Sequence, residues 1–149
     1  MGHRGLATAA LAAMALALGG CGSSSAPLTR AELRSKADAI CKRVSGKLTT
    51  KTITSVKDVA RTAPQLAAVE QEALNELSKL EPPASIENDW KMFIAGAQKL
   101  AENTSKLGEY AKSNSLKGSA GLIASSEQTI KQMTAIAKKY GISNCEQVP

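Results

Sequence analysis

Histidine, aromatic residues and strand-like alternation are all scarce in this chain. Its 149 residues hold a single His, His3, and only one Trp, two Tyr and one Phe. Beyond residue 3 there is no imidazole, which excludes His-based acid–base catalysis, Ser–His and Cys–His nucleophile pairs and most zinc sites. The same absence removes the Glu-x-x-His pairs of di-iron bundles and the axial His of haem bundles. Met92 and Met133 therefore read as apolar filler, not as haem ligands. No glycine-rich phosphate loop and no Cys-x-x-Cys motif occurs. No catalytic residue, metal or cofactor is expected. With so few aromatics the core must be built from Leu, Ile, Val and Ala, a palette that suits packed helices better than a sandwich or barrel.

What the chain does have begins at its start. His3 and Arg4 make a short basic segment, and residues 6–18 are apolar or small apart from Thr8. That run is too short for a bilayer span, which takes about 20 residues, but suits the core of a signal peptide. The next residues, Leu18-Gly19-Gly20-Cys21, resemble the lipobox of bacterial lipoproteins. The resemblance implies lipid on the Cys21 thiol and cleavage just before it. Small Gly19 and Gly20 admit the backbone to a peptidase site, and the thiol supplies the nucleophile for acylation. An ordinary secretory signal that happens to precede a cysteine is the alternative. On the lipobox reading, residues 1–20 are a removed signal peptide, 21–28 the lipidated cysteine and tether, and 29–149 the folded domain. The membrane is then a partner through lipid on Cys21, on the extracytoplasmic face. Gly22-Ser23-Ser24-Ser25-Ala26-Pro27 is a flexible tether of about 13 Å r.m.s. reach.

Three cysteines is an odd count, which flags a free thiol. Assigning Cys21 to lipid leaves Cys41 and Cys145 as an even pair in a compartment where disulfides persist. Their bridge would be worth about 4–5 kcal/mol in the chain-entropy picture. Two unpaired buried thiols are the alternative.

Helical spacing then organises the rest. Thr29 and Glu32 form a capping box, with Leu28 and Leu33 as its hydrophobic staple. Leu33, Ala37, Ile40, Cys41, Val44 and Leu48 follow on one face. A second helix begins near Ser55 and carries Val59, Leu66, Val69, Ala73 and Leu77, with a kink or a restart expected at Pro64. Pro82-Pro83 turns the chain. A third helix places Ile86, Trp90, Phe93, Leu100 and Leu107 in register, and a fourth runs from Leu116 to Tyr140. Gly141 is positioned as its left-handed terminal residue, with Ile142 making the apolar contact of a Schellman ending. Four amphipathic helices with short connections predict an all-α, antiparallel up-down-up-down four-helix bundle.

Charge is uneven. Residues 66–90 carry six acids against one Lys, within a chain of net charge +6. An acidic end that meets a cationic partner is one reading of Glu70, Glu72, Glu76, Glu81, Glu87 and Asp89; solvated helix faces with neighbouring ion pairs are the plainer one. The basic residues Lys42, Arg43, Lys47, Lys51 and Lys57 are candidates for contact with anionic lipid headgroups. Nucleic acid is not an expected partner, because no aromatics are interleaved with these cations. In the fourth helix the apolar stripe passes through Ser126 and Glu127. Pointing inward, Glu127 would mark a ligand pocket with Ser126 and Trp90; otherwise it lies at the edge of the stripe.

Ala39-Ile40-Cys41, Leu80-Glu81-Pro82-Pro83 before Asp89-Trp90, and Tyr140-Gly141 before Cys145 together resemble small helical lipoproteins and secreted proteins of actinobacteria. That resemblance implies a disulfide-clipped bundle and carries no catalytic residues. The expected function is a non-enzymatic cell-envelope interaction module that meets an envelope protein or wall polymer. The alternative is a lipoprotein that binds a small ligand between its helices.

Overall fold

A computed structural model of the chain describes residues 26–47, 53–115 and 117–147. Residues 1–25, which hold the segments read as signal peptide, lipobox and most of the tether, lie outside the described residues, as does Leu48. Among the described residues there are four α-helices and no strand: α1 (Arg30–Lys47), α2 (Val56–Leu77), α3 (Glu87–Lys112) and α4 (Ser119–Tyr140). Single 3₁₀ turns at Ala84–Ile86 and Ser143–Gln147 precede α3 and follow α4.

The helix ends follow the local chemistry read from the sequence. At α1 the Thr29 N–H donates to Glu32 Oε2 at 2.8 Å, and the Glu32 N–H donates to Thr29 Oγ1 at 3.3 Å. These reciprocal bonds satisfy donors the helix cannot. Leu28 packs against the core, and its N–H donates to the Glu81 carbonyl at 2.9 Å. The last residues of the tether segment are thus folded onto the turn between α2 and α3. Ser55 caps α2 by accepting from the Asp58 N–H at 3.2 Å. Gly141 takes φ 69°, and the Ile142 N–H reaches back to the Ala137 carbonyl at 2.9 Å, the six-to-one bond of a Schellman ending. Ile142 is almost wholly buried.

Pro64, where a kink or a restart is expected, does not divide α2, which runs from Val56 to Leu77 without a restart. A mid-helix proline costs about 3 kcal/mol, and packing of α2 along α3, the most extensive interface in the fold, outweighs it. Ala63 is buried there opposite Gly108, whose missing side chain lets the two helices close. The fourth helix begins at Ser119, just after Gly118 with its left-handed φ of 93°, and Leu116 lies outside the described residues.

Cross-helix pairs fix an antiparallel register. Arg43 of α1 meets Glu76 of α2, and one turn further along α1 Lys47 meets Glu72, one turn earlier in α2. Between α3 and α4, Asn103 bonds Ser126 while Asp89 bonds Lys139. The result is a four-helix bundle whose core centres on Leu33, Ile40, Leu77, Trp90, Phe93 and Met133. Trp90 and Phe93 stack with ring centroids 5.4 Å apart. Because Lys47 sits opposite Glu72, the part of α2 that precedes Glu72 runs beyond the end of α1. Ile123 of α4 is 48% exposed.

Candidate functional site

Cys41 and Cys145 are joined in a disulfide across 104 positions of sequence, with their Cα atoms 5.1 Å apart. Both are buried. Beside the bridge, Asp38 of α1 accepts from the backbone N–H of Asn144 at 2.7 Å and from its side-chain amide at 2.6 Å. The turn after α4 is therefore fastened to α1 covalently and by two charge-assisted hydrogen bonds.

Concave surface is concentrated at the end of the bundle where the chain enters. An open groove of about 630 Å³ runs between the α2–α3 turn and the outer face of α3, lined by Pro27, Leu80, Pro82, Trp90 and Ile94, with Glu81, Glu87 and Gln98 among its polar residues. It shares Ala95 with a second groove of about 500 Å³ between α3 and α4, which includes Met92, Gly96, Met133 and Ile136. Met92, which lines the second groove, is 58% exposed.

The interior offers much less space. A cavity of about 50 Å³ lies where all four helices meet, lined by Cys41 and Val44 of α1, Ala73 and Leu77 of α2, Phe93 and Leu100 of α3, and Met133 of α4. Its one acid is Glu70. The Glu70 Oε2 atom is buried, and the described residues give it no hydrogen-bond partner. Burial pushes the Glu70 carboxyl above its usual value, a rise partly offset by the Thr104 hydroxyl.

The acid that faces the interior is thus Glu70, not Glu127. Glu127 is exposed, which is the stripe-edge reading. Ser126 is half-buried and accepts from Asn103 Nδ2 at 3.1 Å. Trp90 lies 13 positions earlier in α3 than Asn103, about 20 Å along the axis at 1.5 Å per residue, so Ser126 and Trp90 do not share a pocket. Reading along the chain missed Glu70 because it was grouped with the acidic cluster. The signal was available: position 70 continues the spacing of Ala63, Leu66, Ala73 and Leu77 on the apolar face. Asn103, buried against α4, gave no comparable signal.

The rest of the acidic cluster is largely paired. Glu72 and Glu76 bind Lys47 and Arg43, Glu87 binds Lys91, and Asp89 accepts from Lys139 at 2.7 Å and from the Tyr140 hydroxyl at 2.5 Å. These bonds hold the Glu72, Glu87 and Asp89 carboxyls below their usual range. Arg43 and Lys47 are equally engaged, so two of the cations proposed for lipid headgroups are occupied by α2. Among the described residues no group of three or more His, Cys, Asp or Glu is placed to hold a metal ion, and no helix is long and apolar enough to cross a membrane.

Comparison with known proteins finds no matching protein-family model, curated protein or solved structure.

Proposed function

We propose that this chain is a lipid-anchored, extracytoplasmic interaction module of the cell envelope, without enzymatic activity. The observation that carries the reading is the contrast between its interior and its surface. A pocket for a drug-sized molecule takes about 300–1,000 Å³, whereas the four-helix interior holds about 50 Å³. The larger space is the open groove beside Trp90, formed by Leu80, Pro82 and Ile94.

Anchoring through Cys21 rests on the Leu18-Gly19-Gly20-Cys21 sequence. Pro27 lines the groove, six positions after Cys21, so a chain tethered at Cys21 keeps this end of the bundle near the membrane. The groove would then face an envelope protein or wall polymer close to the anchor. A buried disulfide is in keeping with an oxidising compartment.

Two measurements test the proposal. Cys21→Ser is expected to abolish the diacylglyceryl mass on the N-terminal peptide and to release the protein from the membrane fraction; unchanged retention removes the anchor. Native mass spectrometry of protein taken from its own envelope is expected to find a stoichiometric macromolecular partner that Ile94→Glu releases. A co-purifying small molecule would replace the interaction reading with the ligand-binding one.

A further inference from the structure

Glu70 is a carboxyl group at the meeting point of four helices, away from the surface groove beside Trp90. Its surroundings provide little to solvate a charge. From α1 the cavity receives Cys41, held in the disulfide, and Val44; from α2, Ala73 and Leu77; from α3, Phe93, Ala97 and Leu100; from α4, Met133. The cations of α1 closest in register, Arg43 and Lys47, are bound to Glu76 and Glu72. Among the described residues, the polar group that acts on the Glu70 carboxyl is the Thr104 hydroxyl of α3. An ionised carboxylate with a buried, unpartnered oxygen is costly, and the ordinary escape is to take up a proton or to admit water.

Helix α1 is the wall best placed to yield. It packs much more sparsely on α2 than α3 does, and its packing is shared about equally between α2 and the turn after α4. The disulfide fixes it at Cys41 and the Leu28–Glu81 bond fixes its entry. Beyond Cys41, its last turns rest on Val44 at the cavity and on the two ion pairs to α2, whose side chains are 38–51% exposed. Exposed pairs of this kind hold weakly.

We propose that Glu70 and the cavity it lines form a proton-controlled latch on α1. Uncharged, the carboxyl lets the four helices close over it. Ionised, it draws water into the cavity and frees the segment from Val44 to Lys47, with the Cys41–Cys145 bridge as the pivot. The cavity has room for this, since one water needs about 10–15 Å³ of such space. The balance is a single proton leaving the carboxyl for solvent and returning. For a domain held outside the cytoplasm, the latch would couple the exposure of one helix end to the acidity of the surroundings.

The sign follows from linkage. The folded state holds the Glu70 proton more tightly than the unfolded chain, so the closed form is favoured at acid pH and loses ground as pH rises above the ordinary value of 4.5. The test compares amide hydrogen exchange of residues 44–47 in the full chain with that in Glu70→Gln, at each pH from 4 to 9, so that the intrinsic pH dependence of exchange cancels. Protection in the wild type is expected to match the variant near pH 4 and then fall behind it by up to tenfold per pH unit, the limit for one proton, while α3 stays protected in both. Thr104→Val, which removes the opposing hydroxyl, is expected to move the window to higher pH. If Glu70→Gln does not fold, Glu70→Leu supplies the same uncharged reference. A pH-independent ratio overturns the latch, and so does a loss spread equally over α3, which would mark general destabilisation in place of a local opening.

Discussion

Asp38 in α1 and Asn144 in the turn after α4 form a two-point contact: both the backbone N–H and the side-chain amide of Asn144 donate to the one carboxylate, at 2.7 and 2.6 Å. The contact sits next to the Cys41–Cys145 bridge, so Asn144 is positioned just before the residue that must meet α1. Asp38→Ala removes both acceptors and leaves a half-buried backbone donor without its partner. A loss of about 2 kcal/mol is expected from hydrogen bonds to a charged group, read as a lower urea midpoint with an unchanged slope. A shift of less than about 0.5 kcal/mol, the range of ordinary surface substitutions, would mean that the bridge alone positions the turn.

The bridge itself is expected to dominate stability. It spans 104 positions, and closing a loop of that size stabilises by about 4–5 kcal/mol through the unfolded chain. Cys41→Ser combined with Cys145→Ser should cost about that much in urea unfolding. Thiol titration of the denatured, unreduced protein should detect neither Cys41 nor Cys145, and finding both free would contradict the connection. Losing the bridge should also free more of α1 than the segment past Cys41, because α1 has little packing on α2 to replace it.

Much of this fold can be read from local chemistry. The Thr29–Glu32 capping box, the Ser55 cap and the Gly141 ending each depend on residues within five positions of one another, so their physics is contained in a short stretch of sequence. Trp90 and Phe93 lie on one face by spacing alone. What spacing along one helix leaves undetermined is how far each helix extends against its neighbours. Glu127 lies at the edge of the α4 stripe and is exposed, whereas Glu70 lies on the α2 stripe and lines the cavity together with Cys41 and Val44 of α1. Pro64 is similar: its local penalty was legible, but the α3 packing that overrides it depends on Gly108, more than 40 positions away. The groove beside Trp90 likewise requires Pro27 and Leu28 to fold onto a turn distant in sequence.

Two glycines offer a matched test of helix packing. A Cβ built on Gly96 would lie 2.7 Å from Met133 Cγ and 2.8 Å from its Sδ, whereas one on Gly121 meets nothing within 4 Å. Gly96→Ala must displace Met133, a core residue, and is expected to lower stability by about 1–2 kcal/mol despite the better helix former. Gly121→Ala relieves backbone entropy without a clash and should raise stability by about 0.5–1 kcal/mol. Thermal melts of the two variants should therefore move in opposite directions; a stabilised Gly96→Ala would show that α3 and α4 tolerate a wider separation.

Asp89 tilts the pH response in the direction opposite to Glu70. Its carboxyl is held below the ordinary value of 3.8, first by the hydrogen bond from Lys139 and then by that from Tyr140. A carboxyl with a lowered folded value contributes stability that is fully present above the unfolded value and is lost as pH falls through the lowered one. The Asp89 contact should thus weaken only under strongly acid conditions, while closure over Glu70 is favoured there. Lys139→Met removes the larger influence and Tyr140→Phe the smaller. Carboxyl-carbon NMR titration is expected to show Asp89 rising toward 3.8 in both variants, more in Lys139→Met than in Tyr140→Phe, with Glu70 unmoved. An equal rise in the two would assign Tyr140 a larger share than its place at the edge of α4 implies. Movement of Glu70 in either variant would mean that the two carboxyls are coupled through α3, and their opposed pH slopes could then no longer be separated by single substitutions.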